Sequence, residues 1–336
     1  MSDLDVLPRA DVLVVNDRIA AVGPDASDAC PPDATTLDAG GRVLMPAFVD
    51  CHTHACAAGS RLDEWEQKLA GATYLDILRA GGGIMSTVRA TRAASLHDLT
   101  SALCERLVDF MLAGTTTVEV KSGYGLTTES ELNMLRAVRA ARDGWPGTVL
   151  PTAMIGHALD PDQPGFVERT IRETLPAVSA EFPGVPIDAY CEQGAWSVDD
   201  CVRLFEAARA SGHPVRVHAD QFNSLGMIRE AVRLGARSVD HLEASTPADD
   251  TMGVVMPVCG LHLDGRYAKV RRFIDAGGAL ALATNSNPGS APTCSMPLAI
   301  ALGVRFCGLT VPEAIAACTV NAARLLGLAD RGTIQP

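Results

Sequence analysis

The stretch Val43-Leu44-Met45-Pro46-Ala47-Phe48-Val49-Asp50-Cys51-His52-Thr53-His54 decides how the rest of the chain is read. It is an apolar run, 43–49, that ends in a His-x-His pair. In a strand, alternate side chains share a face, so His52 and His54 project together while Cys51 and Thr53 point the other way. Two imidazoles side by side at a strand end are the opening half of a metal site. Cys56 follows two residues later and shares that side, although a scattered cysteine is more often a small buried hydrophobe.

Apolar runs of the same kind recur at 115–120, 148–155, 186–191, 214–218, 237–241, 253–258 and 279–284. Amphipathic helical patterns lie between them at 97–113, 129–143, 165–182, 198–212, 224–235 and 267–277, and a last one covers 311–326. Continuous apolar strands alternating with such helices predict a parallel sheet covered by helices. Eight units predict an α/β fold, a (β/α)8 TIM-type barrel over 43–327, with its active site in the loops at the C-terminal strand ends. Residues 1–42 read separately, as part of a small β domain. There the alternation 11–17 and the run 18–22 form a hairpin around the turn pair Asn16-Asp17.

The polar residues obey the barrel rule. His52 and His54 end the first strand; Glu119 and Lys121-Ser122-Gly123-Tyr124-Gly125 end the second. His157, Glu192, His218-Ala219-Asp220-Gln221 and Asp240-His241-Leu242-Glu243 close the next four. His262 and Asp264 follow the seventh strand, and Asn285 through Ser290 follows the eighth. Only His97 and His213 of the eight histidines fall outside these loops.

Composition narrows the function class. The 336 residues are 47% hydrophobic and carry a net charge of −12, which suits one large folded domain and argues against a nucleic-acid partner. No apolar run reaches membrane-span length, and the N-terminus lacks the basic and apolar regions of a signal peptide. The expectation is a cytoplasmic protein with no membrane contact, most of its ten scattered cysteines being buried and reduced.

These residues resemble a known family. Asp50-Cys51-His52-Thr53-His54, Ala58-Gly59-Ser60-Arg61, Gly81 through Val88, Glu119 through Leu126, His218-Ala219-Asp220-Gln221, Asp240-His241-Leu242-Glu243 and Asn287-Pro288-Gly289-Ser290 occur in the order seen in imidazolonepropionases. These are members of the amidohydrolase superfamily, and the resemblance runs from about Gly41 to Gly327. It implies that His52, His54 and His218 bind metal. It implies that Arg61, Tyr74, Tyr124 and His157 hold the ring and propionate of the substrate, together with Gln221, Asn287 and Gly289. It also implies that His241 neighbours the reacting carbonyl. The implied reaction opens 4-imidazolone-5-propionate to N-formimino-glutamate, in histidine degradation, by a homodimer. The chemistry agrees: a guanidinium and a phenol suit a short carboxylate tail, and glycines flanking Tyr124 let the backbone approach a ligand. The glycine run 81–83 reads instead as a tight loop, since it follows no strand as a dinucleotide site requires.

Three departures stand out. The family carries Asp at the end of strand eight, where this chain has Asn285. That Asp touches the metal and shuttles the proton, whereas a carboxamide does not titrate near neutrality. His262 and Asp264 arrive beside this position, so one of them, with His241, is expected to replace the lost shuttle; a loop salt bridge between Asp264 and Arg266 is the plainer reading. The terminal strands of the family's small β-sandwich are also reduced, with only 328–336 returning toward it. The predicted cofactor is a divalent metal, zinc first and iron second, with a metal-free site left open by Asn285. The competing readings are a hydrolase of a related ring (hydantoin or thio-imidazolone propionate), a heterocycle deaminase, and a non-catalytic binder of a small acidic nitrogen heterocycle.

Overall fold

A computed structural model describes residues 4–72, 74–245, 251–263 and 265–336, without the side chains of Tyr74, Leu75 and Leu78. The alternation near the N-terminus becomes two antiparallel strands, β1 (Asp11–Val15) and β2 (Arg18–Gly23). Asn16 and Asp17 both take left-handed φ, 49° and 63°. That two-residue turn matches strand twist and suits Asn and Asp.

The barrel strands are β3 (Phe48–Asp50), β4 (Thr115–Lys121), β5 (Thr148–Gly156), β6 (Ile187–Cys191), β7 (Val215–Ala219), β8 (Ser238–His241), β9 (Met252–Val255) and β10 (Leu280–Leu282). They pair in parallel in chain order from β3 to β10. The seam between β3 and β10 has no strand ladder. It is bridged by Asn285 N–H to the His52 carbonyl (3.2 Å) and His54 N–H to the Ser286 carbonyl (2.8 Å). At the other end of β3, Val49 N–H donates to Cys318 (2.9 Å). The segments that close the barrel therefore also carry its chemistry.

The outer helices form where the patterning predicts. Helix Leu96–Leu112 starts at a capping box between Ser95 and Asp98, a device that contributes about 1 kcal/mol. Its Leu99, Leu103, Leu107 and Phe110 are buried on one face. Leu103→Ala would cost about 2–5 kcal/mol through the cavity left behind.

Several expected elements are shorter or divided, among them 224–235, 267–277 and 279–284, reduced to Met227–Arg233, Arg271–Asp275 and Leu280–Leu282. The run 43–49 becomes a strand only from Phe48, because Pro46 has no N–H for a ladder. The run 253–258 ends at Val255, because Pro257 opens a helix, Pro257–His262. His262 is thus the last residue of a helix, not part of a loop. The pattern 165–182 contains a π turn, Thr170–Thr174, just before Pro176, which lacks the N–H for a regular turn. The pattern 311–326 divides into Val311–Ala317 and Val320–Leu325, and the break delivers the Cys318 carbonyl to β3.

Candidate active site

At the C-terminal end of the barrel, three imidazoles converge. His54 Nε2 lies 3.3 Å from His52 Nε2 and 3.3 Å from His218 Nε2. The far edges of two rings are held by carboxylates: His52 Nδ1 donates to Asp240 (2.6 Å) and His218 Nδ1 to Asp188 (3.0 Å). A proton committed to Nδ1 leaves a lone pair on Nε2, so the two rings aim acceptors at His54. Burial, reinforced by neighbouring cations and the other histidines, pushes His52 and His54 well below the ordinary imidazole range. Burial also lowers His218, against the pull of Asp188. Three neutral imidazoles whose nitrogens crowd one point fit a divalent cation.

A buried ionic layer lies beneath them. Asp240 also accepts from Arg216 (2.7 Å), and Asp188 from Lys121 (2.8 Å). Glu119 accepts from Lys121 (2.8 Å) and pairs with Arg216 at 3.4 Å. Burial opposes the ionised forms, yet the mutual attraction keeps Lys121 high and Asp188 well below the usual carboxylate range. Three carboxylates against two cations leave one net negative charge under the histidines, which compensates for a ligand set without an anion. Sequence reasoning gave these five residues no structural role. Their signal was available: Glu119 and Lys121, and Arg216 and His218, sit two apart in apolar strands, so each pair faces inward.

The expected substrate residues gather around this centre. His157 stacks on His54 with centroids 4.8 Å apart, and its Nδ1 donates to the Gly123 carbonyl (3.0 Å). Burial and the nearby His218 push His157 down to about 3. Tyr124 packs against both rings, 5.9 Å from His54 and 5.0 Å from His157. Burial raises its phenol, and Arg61 is close enough to oppose that. Arg61 pairs with Glu64 at 2.8 Å, and both are largely buried, so this is no surface ion pair. Its guanidinium rests directly on Gly289, where a Cβ would fall 2.2 Å from Nη1. Gln221 accepts from the Tyr190 hydroxyl (2.8 Å).

Other expectations are placed differently. The Asn287 side chain is engaged within its own loop, accepting from Gly289 and Ser290 N–H (both 2.8 Å). The His262 ring packs tilted against Trp65, centroids 4.2 Å apart, and its carbonyl accepts from Lys68. Asp264 and the Tyr74 side chain lie outside the described residues. Cys56 is core, its thiol donating to Met134 and pushed up to about 12 by burial. His213 is structural, held by Val185 and Ser179. Gly83 is the helix-start residue of a tight loop and donates to Glu64. Trp65 was not anticipated; its indole donates to the Gly289 carbonyl (2.8 Å) and joins the Arg61 loop to the Asn287 loop.

Asn285 and His241 occupy unusual backbone. Their φ values are 56° and 95°, positive values that few non-glycine residues adopt, although Asn and His do so more often than most. The His241 ring lies 5.4 Å from that of His218 and 6.1 Å from that of His52. Its Nδ1 faces Glu243 at 3.4 Å.

The model of the amidohydrolase family matches residues 43–336. Imidazolonepropionase of Deinococcus radiodurans is 44% identical, covering 100% of this chain and 85% of its own length. Imidazolonepropionase of Rubrobacter xylanophilus is 43% identical, covering 98% and 82%. Among solved structures, 5-methylcytosine deaminase from Klebsiella pneumoniae superposes with a TM-score of 0.71 at 17% identity, covering 97% of this chain and 85% of that one. N-isopropylammelide isopropylaminohydrolase from Burkholderia multivorans gives 0.69 at 20% identity, with 97% and 85% covered. At such identities these two bear on the fold alone.

Proposed function

The chain belongs to the amidohydrolase family, in its imidazolonepropionase branch, and on that premise we propose how its residues divide the hydrolysis of 4-imidazolone-5-propionate to N-formimino-glutamate. The observation that carries the reading is the convergence of the three Nε2 atoms beneath a wall of Arg61, Tyr124 and His157. His52, His54 and His218 hold a divalent ion, zinc by preference and iron second. When bound, the ion supplies Lewis acidity toward the ring carbonyl and activates the attacking water.

The other roles belong to the chain itself. Arg61 pairs with the propionate, oriented by Glu64 and seated on Gly289. Tyr124 and His157 flank the ring, and His157 keeps its Nε2 unprotonated because Nδ1 is committed to Gly123. Tyr74, whose side chain lies outside the described residues, keeps the carboxylate-binding role that the resemblance implies. Gln221, fixed by Tyr190, presents its amide N–H to the ring. Asn287 positions the loop that carries Gly289 rather than touching the substrate. His241, with Glu243 at its Nδ1 edge, faces the carbonyl oxygen, and in its doubly protonated form donates from Nε2 as that oxygen gains charge. Asn285 holds the barrel seam and moves no proton. His262 packs against Trp65, and Asp264 lies outside the described residues; one of the two, with His241, takes over the proton-shuttle role. The reading includes a cytoplasmic homodimer; no helix among the described residues is long and apolar enough to cross a membrane.

The test is the loss of ultraviolet absorbance of 4-imidazolone-5-propionate, with and without a chelator. Turnover that the chelator abolishes supports the scheme. Turnover that persists without metal removes the ion from it, and binding without turnover makes the chain a holder of the heterocycle.

A further inference from the structure

Beside the three-histidine centre lies a second cluster that this mechanism does not use in full. It forms where the loop after β8 meets the helix Pro257–His262. The Glu243 carboxylate lies 3.4 Å from His241 Nδ1 and 3.5 Å from the Cys259 thiol. All three donor atoms fall within 4.8 Å of one another. His241 is 4% exposed, the Glu243 side chain 5% and Cys259 1%.

Two features show that the cluster is chemically unfinished. Glu243 Oε2 is buried with no hydrogen-bond partner, and no lysine or arginine pairs with this carboxylate among the described residues. A buried carboxylate without a cation is costly. Asn285 Oδ1 is likewise buried without a partner, although its carboxamide reaches the Cys259 sulfur. Two orphaned oxygens, a thiol and an imidazole edge therefore share one enclosed space.

We propose that His241, Glu243 and Cys259, with Asn285 as a fourth donor, form a second cation site for a zinc-like divalent ion. Nitrogen, oxygen and sulfur donors in a set of four suit zinc or cobalt and disfavour calcium or magnesium. A thiolate and a carboxylate neutralise the ion's two charges, and binding releases the thiol proton to solvent. The ion takes the Nδ1 edge of His241 that now faces Glu243. The neutral ring then carries its proton on Nε2, the edge assigned above to the substrate carbonyl. The site does not depend on which ring the enzyme opens.

Cobalt(II) distinguishes the outcomes without any assay of activity. The full chain is stripped of metal, loaded with cobalt(II), freed of excess ion and analysed for cobalt per chain. Its near-ultraviolet spectrum is read for thiolate-to-cobalt charge transfer. The expected result is two cobalt ions per chain and a thiolate band. The band disappears in Cys259→Ser, and the cobalt content falls by one. If that variant fails to fold, Glu243→Gln keeps the thiol and is expected to weaken the band at limiting cobalt. One ion per chain with no thiolate band, or a band unchanged in the Cys259 variant, overturns the proposal.

Discussion

Asn285 concentrates the chemistry of this chain at one residue. Its left-handed φ suits Asn and Asp alike, so the backbone does not explain the choice between them. Asn285→Asp places an anion beside the centre. It is expected to tighten zinc binding roughly tenfold or more and to add an acidic limb to the pH profile of kcat/KM. Equal affinity and an unaltered profile would mean that position 285 does not face the ion. Gly289 is the second decisive residue, because a Cβ there would occupy the place of the Arg61 guanidinium. Gly289→Ala should raise KM about tenfold with kcat nearly unchanged, the signature of lost ground-state binding. A fall in kcat at constant KM would place Arg61 in the chemical step instead.

At the scale of elements, the barrel depends on ties between its outer helices. Arg271 of the helix Arg271–Asp275 pairs with Glu313 of Val311–Ala317 at 2.8 Å, and Glu313 also caps that helix. The hydrogen bonds from Arg271, with those of Thr310, hold Glu313 down at about 2 against an ordinary 4.5. A depressed carboxylate stabilises the fold above its unfolded pKa and loses that contribution as pH falls through the folded one. Glu313→Gln should therefore cost about 1–3 kcal/mol near neutrality. The deficit should shrink as the pH falls from about 4.5 toward 2, as denaturant titrations at several pH values would show. A deficit that does not vary with pH would assign the effect to packing. The same scale shows where patterning misleads. The apolar run at 253–258 cannot reveal that Pro257 turns it into a helix, and that change carries His262 to Trp65.

For the whole molecule, the metal centre spans the barrel. Its proposed ligands come from β3's end and from β7, and the carboxylates that hold them from β6 and β8. Ion binding should therefore stabilise the complete fold. Zinc at a hundred times its Kd should add about 2.7 kcal/mol and raise the Tm by several degrees. A chelator should reverse the gain, and His54→Ala should reduce it. A Tm indifferent to zinc in calorimetry would show that the three histidines do not bind the ion in the folded state.

Period-two and helical patterns, the His-x-His pair and the ordered motifs made legible the barrel, the grouping of His52, His54 and His218, and the placement of polar residues at the C-terminal strand ends. Those features are local: they depend on spacing along one segment, which the chain carries in itself. The ionic layer of Glu119, Lys121, Asp188, Arg216 and Asp240 was decided only in three dimensions. Its members are scattered over four strands, and parallel register alone makes them neighbours. The meeting of Glu243, Cys259 and Asn285 arose in the same way. Each looks ordinary in its own segment, and closure of the barrel brings them into one buried space.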